Sequence, residues 1–183
     1  MYKLIAFFVL SCGLAFASRR SLARPRAHGF PRFFAWELMA ALFTMNAEVW
    51  FHDPLGWNQL VSWTLLFGAL LPLVIGSRRL FGDGEIVRAR AGDEALFSFE
   101  KTSKLVTTGI YRHIRHPLYG SVLMVAWGIY FKRPGWVGLL MMVAASALLY
   151  WTAHADEAEC IEFFGDEYRQ YMKHSRMFVP YLF

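Results

Sequence analysis

Leu-Val-Thr-Thr-Gly-Ile-Tyr-Arg-His-Ile-Arg-His-Pro-Leu-Tyr, residues 105–119, places Arg112, His113, Arg115 and His116 within five positions, directly ahead of an apolar block at 118–131. So abrupt a change from titratable to hydrophobic residues is what a membrane boundary produces. Composition agrees: 56% of the 183 residues are hydrophobic and 17% aromatic, against about 45–50% apolar residues in soluble domains. The apolar residues gather into five blocks, at 4–17, 33–51, 57–75, 118–131 and 136–152, with charged joints between them. One water-soluble core would not require that segregation, whereas helices that satisfy their own backbone polar groups inside lipid do. The predicted fold is therefore all-α, a polytopic membrane helical bundle of about five transmembrane helices.

The first block also fits a cleavable signal peptide, with Lys3 before the apolar run and Ala15-Phe16-Ala17 closing it, but Arg19 and Arg20 follow at once, which suits an anchor better. The second block carries Glu37, Asn46 and Glu48, and the third contains Pro72. Loop charge sets the orientation. With the amino terminus outside, the joints at 18–32 and 77–117 and the tail from 153 hold 16 of the 19 Lys and Arg residues, leaving Lys3, Lys132 and Arg133 on the outer face. The expectation is a multi-pass integral protein of a bacterial or archaeal inner membrane, its carboxyl terminus in the cytosol. Trp50, Trp57, Trp63, Trp127 and Trp136 fall near span ends, as an interfacial belt would have them. Glu37 is costly if it faces lipid, so it is expected to face the bundle, an acceptor pocket or the headgroups.

A net charge of +5 and a pI near 9.4 are explained by arginines beside anionic headgroups, so nucleic acid is not an expected partner, whereas membrane lipids are. Cys12 and Cys160 lie in different compartments of this topology and have no metal-binding spacing. His113 and His116 lack the further ligands zinc wants, so no metal is expected. The stretch 77–104 is long for a bare connector, and its Gly82-Asp83-Gly84 and Ala91-Gly92-Asp93 read as turns around a short element at 85–90. It is expected to order on ligand binding.

Pro117 disfavours helix at His116 but is well placed in a helix's first turn, so Arg115 and His116 should sit where free N–H groups attract an anion. The plainer reading is a basic anchor and a helix start. Past the fifth block come Asp156, Glu157, Glu159 and Glu162, then Phe163-Phe164-Gly165-Asp166-Glu167-Tyr168, Tyr171, Arg176 and Phe178-Val179-Pro180. Glu159 and Glu162 can share a helix face with Asp156 one turn before, either as a solvated acidic face or as partners for an amine, a sulfonium or ribose hydroxyls. Tyr168 and Tyr171 are candidates for packing the tail against lipid or the last span.

The joint order of Leu105-Val106-Thr107-Thr108-Gly109-Ile110-Tyr111, Arg115-His116-Pro117-Leu118-Tyr119, Asp156-Glu157, Phe164-Gly165-Asp166-Glu167-Tyr168, Tyr171 and Pro180 resembles the isoprenylcysteine carboxyl methyltransferase and phospholipid methyltransferase family of integral membrane enzymes. The likeness covers roughly residues 100–183; the first 95 residues carry only spans. It implies two parts, three amino-terminal spans at 1–76 and a methyltransferase core at 77–183, made of a cytosolic connector, a two-span hairpin and a tail. It implies S-adenosyl-L-methionine as cofactor, with Val106, Thr107, Tyr111, Arg115, His116, Tyr119 and Glu157 contacting it. Arg115, Glu157, His174 and Arg176 become the catalytic candidates, and the acceptor a lipophilic small molecule or lipidated group, akin to an isoprenylcysteine carboxylate or a phospholipid amine. Two departures stand out. Asp156-Glu157 replaces the family's common Glu-Glu, and His174 occupies the position where many relatives have Arg, so either His174 or Arg176 can be the cation that meets the substrate. A nicotinamide-dependent reductase related to sterol reductases and a non-catalytic membrane protein of the same shape are the alternatives. The methyl acceptor and the oligomeric state are open.

Overall fold

The structure is a computed structural model describing residues 1–83 and 104–179. Its elements are α1 (Tyr2–Leu22), α2 (Gly29–Asn46), a 3-10 turn at Ala47–Val49, α3 (Trp57–Gly68), α4 (Leu70–Asp83), a 3-10 turn at Gly109–Arg112, α5 (Pro117–Phe131), α6 (Trp136–Phe164) and α7 (Asp166–His174). No strand occurs among the described residues, only an isolated parallel bridge between Ile114 and Arg176. The all-helical class expected from the sequence is what the chain adopts.

Each apolar block became helical, with altered ends. The third is interrupted at Ala69, just before Pro72, whose missing N–H removes the bond to the Gly68 carbonyl. It then runs two turns past its expected end, through Ser77 to Asp83, so the segment read as a connector begins as helix. Gly82 and Asp83, expected in a turn, close α4 as helix, while Gly84, the turn at 91–93, the element at 85–90 and the ordering fall on residues 84–103, outside the described residues. The fifth block continues as helix to Phe164, because Ala155, Glu157, Ala158, Glu159 and Glu162 are strong helix formers although they end the apolar run. At about 1.5 Å per residue, the 29 residues of α6 reach about 43 Å, longer than a hydrocarbon core of about 30 Å. About 20 residues suffice to cross such a core, so the last turns of α6, from about Asp156 onward, exceed what one crossing needs.

Three helices, Tyr2–Leu22, Trp57–Asp83 taken across its break, and Trp136–Phe164, are long and apolar enough to cross a membrane. α2, with Arg32 and Glu37 in its 18 residues, and the shorter α5 run alongside them. Five crossings require both of these to span as well. Large apolar side chains point outward, among them Leu4, Phe8 and Phe16 on α1 and Val137, Leu140 and Trp151 on α6, as lipid-facing surfaces do. Inside, Leu42, Ala126, Ile129, Tyr130, Met142 and Ala145 form the core where α2, α5 and α6 meet. A small residue also lets α3 approach α5: a β-carbon on Gly128 would meet Leu66 at 2.8 Å. Two buried polar side chains are satisfied across helices, Ser62 Oγ donating to the Gly128 carbonyl at 2.7 Å and Asn46 Nδ2 to that of Ile129 at 2.8 Å.

The two ends of the bundle differ. At one end Lys132 Nζ donates to Gln59 Oε1 at 2.8 Å and lies 3.4 Å from the centre of the Trp63 ring, while Lys3 pairs with Glu48 at 2.8 Å. Trp50, Trp57 and Trp63 cluster there by edge and stacking contacts. At the other end the start of α2 is tied to α6, His28 offering its backbone N–H to Glu159 Oε1 and its Nδ1 to Oε2, each at 2.8 Å. Gly29 is required here, since a β-carbon would collide with the side chain of Ser21 at the end of α1. Glu37 turns toward α1, accepting from Ser11 Oγ at 2.7 Å.

Candidate functional site

The motif that opened the sequence reading lies at the His28–Glu159 end, and the tail folds back onto it. The N–H groups of Arg115 and His116 donate to the carbonyls of Arg176 and Met177 at 2.7 and 3.1 Å, and Arg176 N donates to the His113 carbonyl at 2.9 Å. Pro117 begins α5 as expected, but those two N–H groups are taken by the tail and are not offered to an anion. Gly165, with φ of +63°, a conformation that favours glycine, ends α6 and turns the chain into α7. α7 lays Tyr168 and Tyr171 over the motif, Tyr171 Oη donating to the Tyr111 carbonyl at 2.6 Å. The two tyrosines pack the tail onto the site, not onto lipid. Burial holds the hydroxyls of Tyr111, Tyr168 and Tyr171 well above their ordinary pKa.

Arg115 and Glu157 meet each other. Arg115 Nε donates to Glu157 Oε1 at 2.6 Å, with the two side chains only 10% and 5% exposed, and Arg115 Nη1 donates to the Ser175 carbonyl at 2.5 Å. His116 Nε2 lies 3.3 Å from the same Glu157 oxygen. Burial alone would raise the Glu157 carboxyl, but hydrogen bonds from His116 and Arg115, helped by their charge, hold it below the usual carboxylate range. The pair thus joins α5, α6 and the residues after α7 as an internal clamp.

Beside the clamp is a cavity of about 410 Å3 with a mostly apolar wall. Val106, Tyr111, Arg115, His116 and Tyr119 line it from the motif, Asp156, Cys160 and Phe164 from α6, and Tyr168 and Tyr171 from α7. Its other wall comes from the amino-terminal half, through Arg32 and Trp36 on α2 and Leu73, Ser77, Leu80 and Phe81 on α4. The Tyr119 ring stacks on His116, centroids 5.4 Å apart. Of the acidic pair, Asp156 faces this space: its side chain is 27% exposed, and its Oδ2 lies 3.5 Å from His116 Nδ1.

Among the sequence-predicted residues, then, Val106, Tyr111, Arg115, His116 and Tyr119 converge on the cavity, while Glu157 stands behind it on Arg115. Thr107 is exposed and outside the lining. His174 is exposed on α7, its Nδ1 3.1 Å from the Gln170 carbonyl. Arg176 lines a separate cavity of about 240 Å3 with Tyr150 and Met172, on the other side of Arg115. The sequence reading missed Arg32, Trp36 and Asp156. Asp156 was visible as half of the acidic pair, and the choice between its halves needed the helix phase. Arg32 and Trp36 are one turn apart near the start of α2, a spacing with no motif attached to it.

Residues 89–167 match the phospholipid methyltransferase family. Over 120 residues the chain is 29% identical to methanethiol S-methyltransferase 1 of Bradyrhizobium diazoefficiens, covering 66% of this chain and 39% of that protein. Over 110 residues it is 31% identical to protein-S-isoprenylcysteine O-methyltransferase of Schizosaccharomyces pombe, covering 53% and 45% respectively. The chain thus matches less than half the length of either relative. No solved structure matches it. Arg115, Glu157, the cavity motif and α6 all fall inside the matched segment, which is similar to phospholipid and isoprenylcysteine methyltransferases.

Proposed function

We propose that this chain is an S-adenosyl-L-methionine-dependent methyltransferase that works at the cytosolic membrane face on a lipophilic acceptor. The observation that carries the reading is the cavity of about 410 Å3, within the size range of small-molecule and cofactor sites, one wall of which is built from the family motif. Its chemistry fits the cofactor. Tyr111, Tyr119, Tyr168, Tyr171 and Phe164 supply aromatic surface for a purine and for a sulfonium, which aromatic faces attract. Asp156 supplies a carboxylate for an ammonium or ribose hydroxyls, with His116 beside it.

When bound, the cofactor supplies an electrophilic methyl group on a sulfonium with a good leaving group. This chain's residues then have to position and to exclude water. A carboxylate or thiolate acceptor, already an anion, would need no base from this chain, only to be held in line with that methyl group while water is excluded. An amine acceptor must lose a proton, and Asp156 is the carboxylate on the wall suited to take it. In this reading Arg115 and Glu157 act by holding the tail over the cavity. The lipophilic acceptor enters between the membrane-embedded walls on α2 and α4 and the cofactor from the cytosol, which suits five crossings.

The test is transfer of labelled methyl from S-adenosyl-L-methionine into a membrane extract by the detergent-purified protein, with an Asp156→Asn variant as control. Label in an extractable lipophilic product, reduced in the variant, supports the reading. No transfer by protein that remains folded contradicts it.

A further inference from the structure

The second cavity at Arg115, of about 240 Å3, is lined by Arg115, Tyr150, Met172, Ser175, Arg176 and Met177, with no acidic residue among those described. The Arg115 charge is balanced by Glu157 through Nε, and its Nη1 donates to the Ser175 carbonyl. Arg176 differs: it is exposed, and its guanidinium has no hydrogen-bond or ion-pair partner among the described residues. Only its backbone is engaged, the N–H donating to the His113 carbonyl at 2.9 Å and the carbonyl accepting from Arg115 N at 2.7 Å. The cavity therefore carries one unbalanced positive charge on a planar fork of donors, an arrangement that takes an anionic oxygen group in two parallel bonds. Its depth says where such a group comes from. Tyr150 and its neighbour Trp151 are exposed at the end of the apolar run of α6, which stops at Thr152, and amphipathic rings in that position sit at the level of lipid headgroups.

We propose that this cavity binds the phosphate of an anionic membrane lipid through Arg176, and that the lipid acts there as a ligand that keeps the tail closed, not as a methyl acceptor. Met172 and Met177 offer apolar surface beside the headgroup. Because the Arg176 backbone joins the tail to His113 and Arg115, a headgroup fixed on its side chain favours the joined form over the open one. The site lies apart from the larger cavity and does not depend on the methyltransferase reading. It gives Arg176 a role other than meeting the acceptor.

The experiment follows hydrogen exchange over residues 166–179 of the full chain in lipid nanodiscs of phosphatidylcholine alone, of phosphatidylcholine mixed equally with phosphatidylglycerol, and of phosphatidylcholine with inorganic phosphate added. Wild type is compared with Arg176→Gln, with Arg176→Lys, and with Arg169→Gln, which removes an exposed arginine of α7 that does not line the cavity. Phosphatidylglycerol should slow tail exchange in wild type by about fivefold, the worth of one arginine at an anionic surface. Arg176→Gln should lose that slowing, Arg176→Lys should keep part of it, and Arg169→Gln should keep all of it. Native mass spectrometry should find phosphatidylglycerol retained by wild type and by Arg169→Gln but not by Arg176→Gln. No effect of phosphatidylglycerol on wild type, a slowing that survives Arg176→Gln, or an equal loss in Arg169→Gln would overturn the proposal. Equal slowing by inorganic phosphate in phosphatidylcholine would overturn the lipid as the occupant.

Discussion

Replacing Arg115 with Met tests whether this residue holds the tail or touches the cofactor. The change leaves Glu157 buried with His116 at 3.3 Å and His154 at 3.8 Å as its remaining partners and removes the donor to the Ser175 carbonyl. Breaking a buried pair by removing one member costs about 3–5 kcal/mol, and the lost carbonyl bond about 1 kcal/mol more. Even 3 kcal/mol, at about 1.4 kcal/mol per tenfold, makes opening of the tail more than about a hundredfold more frequent. Hydrogen exchange in detergent should therefore speed up by at least that factor over 166–179, while α1, α3 and α5 change little. Arg115→Met combined with Glu157→Leu should recover much of the protection, because an apolar pair of similar volume avoids the stranded charge. Tail exchange at the wild-type rate in Arg115→Met, with cofactor binding lost, would refute the clamp and return Arg115 to the role of a direct ligand.

Because Glu157's carboxyl is held below its ordinary range, its contribution is present above the unfolded value near 4.5 and is lost as pH falls through the lower folded value; thermal unfolding of wild type against Glu157→Gln should converge only below about pH 4.5. At the opposite end, burial lowers Lys132 to about 8, so the unfolded chain binds the extra proton between that value and 10.5. Stability should rise with pH across this window in wild type and stay flat in Lys132→Met, and parallel melting curves would contradict the buried-amine account. Reporter fusions after Gly56, after Lys104 and at the carboxyl terminus should read outside, inside and inside; an outside reading at the terminus would separate the tail from the cytosolic cofactor.

Helix positions were legible because the apolar blocks are bounded by residues whose physics is local. Pro117 begins α5, Gly135 precedes α6, and Lys132-Arg133-Pro134 marks the turn between them. The ends of α4 and α6 were not, since hydropathy ends at Ile75 and Thr152 while helix propensity does not. In the site, Arg115 and Glu157 each look like half of a ligand-binding pair in sequence. They are 42 residues apart, and only the return of the tail over α5 brings them within 2.6 Å of each other. The same return consumes the Arg115 and His116 N–H groups that a helix start would otherwise expose. Asp156 and Glu157 are adjacent, so a rotation of about 100° between neighbours decides which faces the cavity. Arg32 was counted as a topology charge, a role any arginine near a membrane edge can fill.

Isothermal calorimetry on the detergent-purified full chain tests the central claim most directly, comparing S-adenosyl-L-methionine with NADPH in wild type and in Asp156→Asn. The cavity assignment predicts saturable binding of S-adenosyl-L-methionine, weakened by about tenfold or more in Asp156→Asn as a charged contact in the wall is lost, and no binding of NADPH. Binding of NADPH in place of S-adenosyl-L-methionine, or S-adenosyl-L-methionine affinity unchanged by Asp156→Asn, would contradict it.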